Sequence, residues 1–129
     1  FSVGDGRILA PDAYGAQGIG GSIFRAELDP THPLAFGIGA DLPVFRQGTR
    51  LFDPPSEPGT TVARYADEPL MSGYVPEERL ALMPGAAVMA ADEVGSGAVV
   101  AIMDDADFRG FWYGSASLLL NAIFFGGSF

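Results

Sequence analysis

Three carboxylates fall within four consecutive positions, Asp104, Asp105 and Asp107 of "DDAD", where one apolar run ends and another begins. Carboxylates grouped this way can serve as acid and base, or hold Ca²⁺ or Mg²⁺ through hard oxygen ligands. Their place, where a strand hands over to a helix, is where ligands bind in open α/β sheets. No glycine-spaced calcium loop follows them, however. Helix capping accounts for the same residues without a ligand, because an aspartate before the first turn accepts from orphan N–H groups and suits the positive end of the dipole. Capping is the preferred reading, with Asp107 or Asp105 as N-cap and a cost of about 0.5–2 kcal/mol on its removal. Arg109 follows among apolar residues, as does Arg64 earlier in the chain. Each is expected to be partly buried and paired with a carboxylate rather than to bind an anion.

His32 is the single histidine, and there is no cysteine. A catalytic triad needs a nucleophile and base held together, and zinc sites draw on several histidine, cysteine or carboxylate ligands. One histidine between turn residues in "DPTHPLAFG" is better placed to bond backbone through a ring nitrogen than to catalyse. His32 therefore stays a weak ligand candidate beside the three aspartates and Arg109. The glycine clusters are weaker still. "GIGGSI" has Ile23 where a dinucleotide fingerprint needs its third glycine, and "GGSIF" lacks the second glycine of a nucleophile elbow around Ser22.

The elements that must carry these residues come from a chain of 129 residues with 48% hydrophobic content, enough for one domain with a real core. The net charge of −9, with all seven basic residues arginine, disfavours nucleic acid and anionic membrane surfaces as partners. Residues 1–21 are glycine-rich and read as an irregular lead-in. "SIFRAEL" (22–28), "LPVFR" (42–46) and "TTVARYA" (60–66) read as short strands, with the proline-rich "FDPPSEPGT" as a surface loop. "VPEERLALM" (75–83) reads as a short helix with Pro76 in its first turn. The runs "AAVMAA" (86–91) and "AVVAIM" (98–103) read as strands covered on both faces, joined by a hairpin loop longer than two residues. A helix from about Phe108 to Phe125 completes the pattern, stopped by Gly126-Gly127. Apolar nearly all round, it is expected to be buried. Its unbroken apolar run is far below the ~20 residues needed to span a bilayer. A stripe of Gly110, Gly114, Ser117 and Asn121 lets a neighbour approach closely. The fold class is α/β.

The pieces Arg64-Tyr65, Ser72-Gly73, Gly95-x-Gly97, Phe108-Arg109, Gly114 and Asn121-Ala122, in that order, resemble the end of a domain in bacterial zinc carboxypeptidase-like proteins of the carboxypeptidase A superfamily. "GGSIFRAELDPTHPLAFG" resembles the stretch before them, so the likeness runs over roughly residues 19–127. The resemblance implies a class I glutamine amidotransferase-like layered sheet with flanking helices over residues 22–127, as the C-terminal part of a doubly wound fold. It implies a non-catalytic accessory domain of a secreted protein, periplasmic or extracellular, packing on a peptidase domain that lies upstream and holds the zinc. No cofactor is expected in this chain, and the amidotransferase cysteine has no counterpart. Self-association is expected where a truncated sheet leaves an apolar surface uncovered. The alternative is a small independent hydrolytic or cation-binding domain using Asp104, Asp105 and Asp107.

Overall fold

The structure, a computed structural model, describes residues 18–110 and 112–128. Five strands form one sheet: β1 (Ile19–Leu28), β2 (Asp41–Gly48), β3 (Thr61–Ser72), β4 (Ala87–Val94) and β5 (Gly97–Ile102). Their spatial order is β2-β1-β3-β4-β5, and every neighbouring pair is antiparallel. A single-turn helix α1 (Glu77–Leu80) joins β3 to β4, and α2 (Tyr113–Phe125) closes the described chain.

The strands arise from side-chain alternation. In β1, Ile19, Ser22, Phe24, Ala26 and Leu28 are buried while Arg25 and Glu27 face out. In β2, Leu42, Val44 and Arg46 turn inward at a period of two. β4 differs, with Ala87 to Ala91 all buried, as a strand covered on both faces requires. Phe24 and Tyr65 meet edge-on at 5.7 Å at the centre of this core. The sheet curls strongly. The segment leaving β5 reaches back to β2, where the Asp105 amide donates to the Phe45 carbonyl at 3.3 Å.

The mixed α/β class holds, but among the described residues no ladder is parallel, so the crossover-helix layering of a doubly wound sheet is not what they form. The reason is connection length: β4 and β5 are joined by a tight hairpin, and α1 is too short to carry a crossover. Residues 1–17 of the irregular lead-in lie outside the described residues, whereas Ile19, Gly20 and Gly21 belong to β1. β3 runs to Ser72, beyond the expected end at residue 66, because register shifts against β1 absorb Pro69. The β4–β5 hairpin is tighter than expected, since Val94 pairs with Gly97 and Gly95 supplies the positive φ of 65°. β5 is a half-buried strand at the end of the sheet rather than one covered on both faces.

The C-terminal helix departs most from expectation. It begins at Tyr113, not Phe108, with Trp112 in the cap position and no side-chain cap bond. Residues 108–110 make a separate 3₁₀ turn in which Arg109 and Gly110 take φ values of 53° and 68°, which a right-handed helix cannot pass through. Asp107 only accepts the Gly110 amide through its backbone carbonyl. None of the three aspartates caps α2. Its first turn is tied down instead by buried Ser115, whose hydroxyl donates to the Ala106 carbonyl at 2.7 Å. The helix is also not buried all round: of its described residues Ser115 and Leu118 are buried, because it packs mainly on β2 and the turn at 33–35. Of the small-residue stripe, Gly114 does mark a close approach, a β-carbon there lying 3.1 Å from Leu42 Cδ1. Gly110 has open space around it and is glycine for its backbone conformation.

That difference is measurable. Inside a helix, Gly110→Ala would gain up to ~1 kcal/mol of propensity. At φ of 68° it is expected to cost about 1–2 kcal/mol instead, while Asp107→Ala leaves the chemical denaturation midpoint nearly unchanged. A stabilised Gly110→Ala chain, or a clear loss for Asp107→Ala, would restore the longer capped helix.

Candidate functional site

The chemistry-bearing side chains that the fold brings together are Arg46, Tyr65 and Asp104, from β2, β3 and the segment after β5. Arg46 takes the third inward position of β2, where alternation demands a core residue. Its Nη1 donates to Asp104 Oδ1 at 2.5 Å and to the Tyr65 hydroxyl at 3.1 Å. That hydroxyl in turn donates to the Asp104 carboxylate, 2.7 Å from Oδ1 and 2.5 Å from Oδ2. The Arg46 and Asp104 side chains are 4% and 2% exposed, so the pair is shielded from water and from salt.

Burial sets the protonation states. It pushes the Tyr65 hydroxyl well above its usual range, and the Asp104 charge adds to that, so Tyr65 remains a donor. Burial works against the Arg46 charge, but Tyr65 and Asp104 outweigh it and hold the guanidinium above its ordinary pKa. Burial also raises Asp104, against the pull of Arg46 and of the Tyr65 hydrogen bond. Both Asp104 oxygens are committed within the triad. The network is buried and inward-facing, so what it can do is hold three segments in register. Arg46 Nε is buried with no hydrogen-bond partner among the described residues.

The expected site residues do not converge. Asp104 is consumed by the ion pair, Asp105 is half-buried with its amide bonded to β2, and Asp107 is exposed. Arg109 is exposed and lies over the Phe108 ring at 5.1 Å, so the expected carboxylate pairing gives way to an aromatic contact. Arg64 is exposed as well. It shares a polar cleft of 530 Å³ with Glu27, Asp29 and Glu57, at the ends of β1 and β3. Among the described residues no three histidine, aspartate or glutamate side chains come close enough to hold a metal ion, and no helix is long and apolar enough to cross a membrane.

His32 serves the backbone, as a ring nitrogen between turn residues can. Its Nδ1 accepts the Leu34 amide at 3.1 Å and caps the 3₁₀ turn at 33–35. Asn121 of α2 binds the far side of that turn, its Nδ2 donating to the Leu34 and Phe36 carbonyls at 2.9 and 2.8 Å. Sequence reasoning misses Arg46 and Tyr65 as site residues. The period-two pattern Leu42, Val44, Arg46 carries the signal, since it places an arginine on the buried face, where it must find a carboxylate.

With this geometry in place, comparison with protein-family models, with curated proteins and with solved structures returns no match for the chain.

Two measurements test the site. Asp104→Asn leaves Arg46 charged and buried, and is expected to cost about 3–5 kcal/mol. The double change Arg46→Met with Asp104→Leu removes both charges and should cost less than Asp104→Asn alone, the remaining cost being the unpaired Tyr65 hydroxyl. A double variant no more stable than the single one would show that the charges are not the source of the cost. For His32, burial depresses the imidazole pKa below 6.5, partly opposed by Asp29. Folding then disfavours protonation, so the unfolded chain binds the proton first, and stability falls as pH drops from about 6.5 through the lower folded value. Urea midpoints at pH 7 and pH 5.5 should show this loss in the natural chain and a smaller one in His32→Asn, which keeps a capping group without the titration.

Proposed function

We propose that this chain is a non-catalytic accessory domain of a secreted zinc carboxypeptidase-like protein, working in the periplasm or outside the cell by packing on or assisting the peptidase domain. The observation that carries this reading is the fate of Asp104, the first member of the acidic cluster. It is locked with Arg46 and Tyr65 in a buried network that bears on the fold and engages both of its carboxylate oxygens. The order of sequence pieces over residues 19–127 supports the parent family. The amidotransferase-like assignment of residues 22–127 belongs to the same proposal and rests on the order of those sequence pieces. Zinc belongs, on this reading, to the peptidase domain and not to this one.

The purified chain should therefore hydrolyse neither C-terminal peptide bonds nor amides, and should retain no zinc after dialysis against a weak chelator. Supplied to a zinc carboxypeptidase of the resembled kind lacking this domain, it should bind and change kcat/KM or thermal stability. Stoichiometric zinc with turnover by the chain alone would replace the accessory reading with the independent hydrolytic one.

A further inference from the structure

Among the described residues nothing covers the outer face of α2. Tyr113, Leu120, Ile123 and Phe124 are 81%, 63%, 75% and 79% exposed. At 3.6 residues per turn, Tyr113, Leu120 and Phe124 fall on one line with Ile123 beside it, and Ala116 and Ser117 lie between them. The patch continues off the helix through edge-to-face rings, Phe124 to Phe125 at 4.9 Å and Phe125 to Phe36 at 5.6 Å, and Phe36 is itself 72% exposed. We propose that this face is the contact of a homodimer, with a second copy of the chain as its occupant.

Charge and area select that occupant. The chain carries −9, yet residues 110–128 contain no aspartate, glutamate, lysine or arginine. Two identical acidic chains repel least where neither surface bears charge, and a basic partner would find nothing on this face to pair with. Anionic lipid is opposed by the net charge in the same way. With aromatic side chains offering roughly 150–250 Å² each, the five residues expose on the order of 700 Å² per copy, close to the ~800 Å² per partner of stable complexes. The face is also self-complementary. In an antiparallel pair about a twofold axis, Tyr113 meets Phe124 of the other copy, and Leu120 seats over its Ala116 and Ser117, whose small side chains let the helices close.

Sedimentation equilibrium of the chain from sub-micromolar to hundreds of micromolar tests this directly. A reversible monomer–dimer transition is expected. Leu120→Glu and Phe124→Glu each place a charge on the face at a solvent-exposed position. Both should shift dimerisation at least tenfold toward monomer, with unchanged far-UV circular dichroism. If one variant fails to fold, the other decides. A natural chain that stays monomeric throughout the range overturns the proposal, as does a dimer that persists in a folded charged variant. The accessory reading is tested separately, by binding to a carboxypeptidase and by turnover and zinc content, so the outcome of sedimentation does not decide it.

Discussion

One buried ion pair joins the two ends of the curled sheet. Arg46 and Asp104 stand 58 residues apart in sequence and belong to opposite ends of the strand order, β2 and the segment after β5. An open antiparallel sheet with these two groups apart would leave a guanidinium on the core face of β2, at a desolvation cost of several kcal/mol. Bringing Asp104 onto it offsets that cost and links the two ends of the sheet. Tyr65, from the central strand β3, bonds to both partners and so ties the middle of the sheet to its ends.

The same constraint positions the C-terminal segment. Once Asp104 is drawn to Arg46, the chain beyond Asp105 runs along the outside of β2, where Phe108 stacks on Phe45 at 4.1 Å and Trp112 meets it edge-on at 6.5 Å. The left-handed turn at Arg109 and Gly110 redirects the chain along that surface before α2 can begin. The helix therefore lies along one margin of the sheet, anchored by Leu118, Ser115 and the Asn121 bonds to the 33–36 turn. Packed from one side only, an apolar helix is left with an apolar face in solvent, and such faces are commonly covered by another protein surface.

The distribution of polar groups bears on function in the same terms. Buried ionisable groups can be poised for catalysis when they line a cleft, or can specify a fold when they face one another in a dry core. Here they face one another. The buried imidazole of His32 accepts a backbone amide, which is a structural use of the chain's single histidine. The polar cleft beside Arg64 draws its walls from a proline-rich loop and strand ends, away from the buried triad.

What the sequence determined by itself was local. Alternation placed β1, β2 and the start of β3, the unbroken apolar run of Ala86 to Ala91 marked a strand hidden on both faces, and glycine spacing marked the β4–β5 hairpin. Those features need only neighbours in sequence, because side-chain period and turn geometry are short-range properties. An N-cap at "DDAD" follows from the same local rules and fails, since the left-handed turn at Arg109 and Gly110 delays the helix to Tyr113, out of reach of Asp105 and Asp107 as caps. Strand order, the curl, the start of α2 and the exposure of its outer face were decided by tertiary structure alone. Each depends on contacts between residues far apart in sequence, which side-chain period, capping and turn rules do not encode.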